Sequence, residues 1–179
     1  MSFDFSFPSN TNANISDDGP RSYEQELFEA TPYLFRLVEV SDEPRMIANM
    51  ETRSFRFAAL DLEHNEVCRF YTNLRMPSNY DHVPSDKHWM IHNDVRVIQE
   101  LAKARCAQKH IEQSFVIDDL HELEGYTVRG EIKARSYINK SGGTSWGYSI
   151  LYPKAYTLKD RSEEFAEAKQ AFENDDIPF

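Results

Sequence analysis

Between residues 126 and 139 the chain reads YTVRGEIKARSYIN, its strictest alternation. In an extended backbone Tyr126, Val128, Gly130, Ile132, Ala134, Ser136 and Ile138 point one way, while Thr127, Arg129, Glu131, Lys133, Arg135 and Tyr137 point the other. One side is apolar or small. The other is cationic and ends in an aromatic ring. A helical period of 3.6 would scatter this pattern, so the segment is a strand with one wet face. The Gly-rich NKSGGTS then makes a hairpin connection, and WGYSILY, residues 146–152, returns as the next strand and ends at Pro153. A chain carrying this unit is mainly β and antiparallel.

The remaining segments extend that plan. PYLFRLVEV, residues 32–40, reads as a first strand closed by the turn SDEP. ETRSFRFAALDL, residues 51–62, and VCRFYTNL, residues 67–74, form a second and third strand joined through EHNE. RMPSNYDHVPSDKHW is long, polar and Pro-broken, and long loops in compact domains tend to carry function. In NDVRVIQELAKARCA, Val95, Ile98, Leu101 and Ala102 recur at helical spacing behind Asn93 as N-cap. A shorter unit, SFVIDDLHEL, places Asp118 and Asp119 before Leu120 and Leu123, a pair that could serve as nuclease carboxylates but more commonly caps a helix start.

Five strands with one helix between the third and fourth match a five-stranded, partly open OB-fold barrel, although another α+β domain on a five-stranded sheet has the same element count. The domain is expected over residues 25–158. Residues 1–24 read as a flexible arm, in which the alternating Phe3, Phe5 and Phe7 suit an edge strand. Residues 159–179 read as an acidic tail, disordered or weakly helical, with Phe165, Ala168 and Phe172 on one helical side.

A net charge of −10 would argue against a nucleic-acid partner, but the charge is segregated. Residues 1–50 hold 3 basic and 9 acidic side chains, residues 51–159 hold 15 and 14, and residues 160–179 hold 2 and 7. The acid is at the ends and the middle is free to meet an anion. No apolar run reaches membrane-spanning length, and MSFDFSFPSN has no apolar signal core, so the expectation is a soluble cytoplasmic protein with no membrane contact. Cys68 and Cys106 have no CxxC spacing and read as reduced thiols.

Gripping a bare strand takes cations for the phosphates and exposed rings for the bases. The strands offer both: Arg53, Phe55 and Arg56; Arg69 and Tyr71; Arg129, Lys133, Arg135 and Tyr137; Trp146 and Tyr148, with Arg75 and Lys140 at connections. The period-two rule turns at least half of Phe55, Phe57, Phe70 and Tyr71 into the core. Trp146, following a Gly-rich hairpin and next to Gly147, is the ring expected to be presented, and Tyr137 the next. An ordinary solvated face accounts for Lys133 and Arg135 equally well.

The last residues are DDIPF. Asp175, Asp176, Ile177, Pro178 and Phe179 resemble the tip of bacterial-type single-stranded DNA-binding proteins, which recruits replication and repair enzymes. The body over about residues 28–156, with ELEGYTVRGEI its most familiar part, is similar to the OB-fold single-stranded DNA-binding proteins of tailed phages. The resemblance implies a non-catalytic protein that coats single-stranded DNA in the infected bacterial cytoplasm during replication, recombination or repair. It implies as partners the replication and recombination proteins that read the tip. An alternative is a module of the same fold that meets host replication proteins through the tip and binds little DNA. No cofactor or metal is expected: His82, His88 and His92 lie close in sequence, but HWMIH lacks the Glu of HExxH.

Overall fold

In a computed structural model of the chain, residues 19–157 and 160 are described. They form one antiparallel sheet of six strands and one α-helix: β1 Tyr33–Val40, β2 Arg45–Ile47, β3 Met50–Leu60, β4 Glu66–Arg75, α1 His88–Lys109, β5 Thr127–Ile138 and β6 Thr144–Tyr156. β3 pairs with β4 along one side and with β2 and β1 along the other; β1 pairs with β5, and β5 with β6. Apart from the short β2, the edges are thus β4 and β6, which share no ladder among the described residues. The expected mainly β fold holds, with the helix between the third and fourth long strands. The strand count is six, because the segment after the SDEP turn makes a short hairpin, β2, through the left-handed pair Ala48 and Asn49.

The core follows from the period-two pattern. Phe35 and Leu37 on β1, Phe55 and Phe57 on β3, Phe70 and Leu74 on β4, and Val128 and Ile132 on β5 converge with Ile150 of β6 and Val97, Ile98 and Leu101 of α1. Phe70 stands edge-on to Phe35 at 5.9 Å and stacks on Phe57 at 6.0 Å between ring centres, so three strands meet in one aromatic cluster.

α1 begins at His88, five residues before the expected cap. Asn93 is not a cap; its amide donates to the Ile150 carbonyl of β6 at 3.2 Å. Two buried carboxylates on the same helix do similar work. Asp94 accepts from the Arg75 amide and guanidinium, both at 2.9 Å, and Glu100 accepts from the Ala155 amide at 2.9 Å. The helix is thereby bonded to both open edges of the sheet, satisfying backbone donors and acceptors that no neighbouring strand takes up. Asp119 does cap the short 3-10 turn Leu120–Leu123, accepting from the His121 amide.

β6 does not end at Pro153 but runs to Tyr156. A register shift between Arg129 and Glu131 leaves Pro153, which has no N–H to offer, at a bulge, with Tyr152 turned to φ +52. Gly130 is required there: a Cβ would lie 2.8 Å from the Leu151 carbonyl oxygen. Past Gly130, β5 loses β1 and pairs with β6 alone, so the distal β5–β6 hairpin projects from the sheet.

The segment before β1 is docked from Arg21 onward, inside the expected arm. Arg21 and Tyr23 donate their amides to Ser141 Oγ and the Thr144 carbonyl, and Leu27 is fully buried. No helix among the described residues is long and apolar enough to cross a membrane.

Candidate nucleic-acid interface

Where β4 and β6 approach without a ladder, their seam opens outward as a trough made of two adjoining cavities of about 630 and 650 Å³ that share Tyr71, Gly147 and Tyr148. Strand parity decides what faces it. On β4, Cys68 and Phe70 turn into the core, which turns Arg69 and Tyr71 outward. On β5, Ile132 is core, so Lys133, Arg135 and Tyr137 share the outer face. Opposite Arg135 the sequence places Gly147, which has no side chain to fill the trough.

Four cations line it: Arg69 in one cavity, and Arg75, Lys133 and Arg135 in the other. They are not electrostatically equal. Arg69 holds Glu66 at 2.6 Å, an exposed pair in which the guanidinium pulls the Glu66 carboxyl below its usual range. Arg75 holds Asp94 at 2.9 Å, and burial still pushes that carboxyl up despite the Arg75 bonds. Lys133 and Arg135 have no carboxylate partner among the described residues. The uncompensated charge of the trough is therefore theirs.

Rings supply the rest. Tyr71, Trp89 and Tyr137 line the trough and are 61%, 68% and 53% exposed, and Trp146 lines it half-buried. The Arg56 guanidinium, directly across from Tyr71 on β3, sits 5.3 Å from its ring centre, a cation–π contact that steadies the ring. Exposed aromatic faces interleaved with cations are what base stacking and phosphate contact require.

Of the residues expected from sequence, Arg69, Arg75, Lys133, Arg135, Tyr71 and Tyr137 come together here. Phe55 does not: it is fully buried, because its strand position shares the face of Phe57. Tyr148 is buried as well; its hydroxyl accepts from the Glu26 and Leu27 amides, and only its edge borders the trough. Trp146 is not the presented ring that was expected. Its register opposite Ser136 puts it on the face of Tyr148 and Ile150, packed against the core. Arg53 is spent on the Ser41 and Asp42 carbonyls, Arg129 lies beyond the bulge opposite Lys154, and Lys140 stands on the hairpin tip, all outside the trough lining.

Trp89 was missed. It occupies the first turn of α1, in a stretch read as loop, and the signal available was a bulky apolar ring inside an otherwise polar segment. The histidines nearby are occupied: His82 and His88 donate to the Asn49 and Val83 carbonyls, and His92 bonds the Tyr80 hydroxyl. Among the described residues no group of His, Cys, Asp and Glu is arranged to hold a metal ion. Asp175, Asp176, Ile177, Pro178 and Phe179 lie outside the described residues, as do Phe3, Phe5 and Phe7.

No family model and no curated protein matches the chain.

Proposed function

We propose that this chain binds single-stranded DNA through the seam trough, without strong sequence preference and without catalysis, and that it coats exposed strands in phage DNA replication and recombination. The observation that carries this is the trough itself, in which two uncompensated cations and three well-exposed rings share one open groove. Stacking of this kind tolerates any base, since every base has a π-face, and phosphate contact is blind to sequence. The spatial order β4, β3, β1, β5, β6, with a helix after β4 lying across the seam, supports reading the sheet as an OB-fold barrel opened between its first and last edges.

The acidic tip belongs to the same reading. Phe179 with Ile177 and Pro178 suits a small apolar pocket, its terminal carboxylate suits an Arg, and Asp175 and Asp176 steer the encounter toward basic partners. The tip would bring replication and recombination enzymes to the coated strand.

The chain has two tryptophans, Trp89 and Trp146, and both line the trough, so tryptophan fluorescence, excited where tyrosine does not absorb, reports on this surface. Titration with oligo-dT at low and high salt is expected to give saturable quenching that weakens with salt. An unsaturable signal at both would refute DNA binding and favour a module that works through the tip.

A further inference from the structure

One end of the trough is walled by the segment that precedes β1. Residues 23–26 cross the seam from β6 toward β4. The Tyr23 amide donates to the Thr144 carbonyl on β6 at 2.8 Å, and the Glu26 amide donates to the Tyr148 hydroxyl at 2.8 Å. The Glu26 carboxylate stands beside Cys68 of β4, whose thiol is pushed up to about 12 by burial and by that carboxylate. Tyr23, Glu24 and Glu26 thus share a cavity with Arg69, Tyr71 and Tyr137, the groups that a nucleic-acid strand would use.

How this segment is held differs on the two sides of Leu27. Leu27 is fully buried in the core, a fixed anchor. Ahead of it three contacts to the hairpin are exposed hydrogen bonds, Arg21 N–H to Ser141 Oγ at 3.1 Å, Asn139 Nδ2 to the Arg21 carbonyl at 2.7 Å and Thr144 N–H to Ser22 Oγ at 3.2 Å, while the Glu26 N–H to Tyr148 bond next to the anchor is half-buried. Water replaces such bonds at small net cost. A ligand that prefers the uncovered trough therefore needs little differential affinity to shift the segment.

We propose that residues 19–26 form a displaceable acidic strap, an inference that rests on the single-strand reading of the trough. Glu24 and Glu26 stand where phosphates would pass Arg69, and a strand long enough to run the whole trough lifts the strap from the β5–β6 hairpin, with Leu27 as the pivot. A short strand seated near Trp89, Lys133 and Arg135 leaves it in place. The strap thereby favours long exposed strands over short ones and discourages stray anions at low occupancy.

Amide exchange on the unmodified full chain tests this with two oligo-dT probes, of about 5 and about 20 nucleotides, one near the short end of the footprint of such a domain and one beyond its long end. The Tyr23 and Glu26 amides are expected to exchange faster when the long probe is bound and to be unaffected by the short one. Unchanged or slowed exchange with the long probe bound overturns the strap while leaving DNA binding intact. In parallel, Glu24→Gln with Glu26→Gln is expected to tighten long-probe binding several-fold at low salt. Glu43→Gln with Glu112→Gln, an equal change of charge at exposed sites outside the trough, is expected to leave it near the native value. Equal gains in the two variants overturn the strap as well. If neither probe binds the native protein at all, the trough reading fails and the strap falls with it.

Discussion

Replacing Lys133 and Arg135 by Ala separates the trough from generic charge attraction. Four cations line the groove, but Arg69 and Arg75 already pair with Glu66 and Asp94 at 2.6 and 2.9 Å, so the two substitutions remove the cations that have no ion pair to give up. Each phosphate neutralised on a single strand contributes about 0.7 to the slope of log affinity against log salt, so losing two contacts should flatten that slope by about 1.4. Between 50 and 200 mM salt, the native protein should then lose about sevenfold more affinity than the variant. Fluorescence titration of oligo-dT at four or five salt concentrations measures both slopes, and neither substitution touches Trp89 or Trp146. The matched control is Arg53→Ala with Lys140→Ala, two cations outside the trough lining, which should leave the slope unchanged. Equal slopes in the native protein and the Lys133/Arg135 variant would refute the assignment, as would an equal flattening by the control.

The fold offers three further tests. Gly130→Ala forces a Cβ against the Leu151 carbonyl at 2.8 Å and should destabilise by about 1–3 kcal/mol in urea unfolding, by analogy with overpacking. Leu27→Ala empties a fully buried site under the strap and should cost about 2–5 kcal/mol by the same measurement. His121 is pushed up to about 9 by hydrogen bonds to the Glu124 and Asp42 carboxylates. Since that lies above the value of about 6.5 expected when unfolded, its stabilisation is fully present below that pH and is lost as pH rises through about 9. Thermal unfolding of native protein and His121→Ala should accordingly differ near pH 6 and converge near pH 10.

Much of the sheet was legible because its strands are wet on one face. In β5 the apolar residues Val128 and Ile132 alternate with Arg129, Lys133 and Arg135, which fixes both the strand and its orientation. β3 was harder, since Arg53, Phe55, Arg56 and Phe57 mix cations and rings without stating which parity is buried. The answer comes from Phe70 and Phe35 on neighbouring strands. Trp146 misled for a related reason: a Gly-rich turn says where a hairpin reverses, while the face of the next residue depends on the register opposite Ser136. The start of α1 was obscured because Asn93 and Asp94 resemble capping residues, whereas their side chains reach Ile150 and Arg75 on the sheet. The approach of β4 to β6 has no local signature, since it joins segments some eighty positions apart.

The brace between those two strands has a mechanical meaning. Along the seam no ladder of amides among the described residues fixes the gap; beside the edge-on contact of Phe70 with Tyr148, α1 braces it, gripping β6 through Asn93 and Glu100 and β4 through Asp94. A zipper opens only by breaking rungs, whereas a strut can tilt while both walls stay whole. The width available to a passenger then depends on how that helix is seated, and small changes at Asn93, Asp94 or Glu100 should retune the opening while the sheet keeps its rungs.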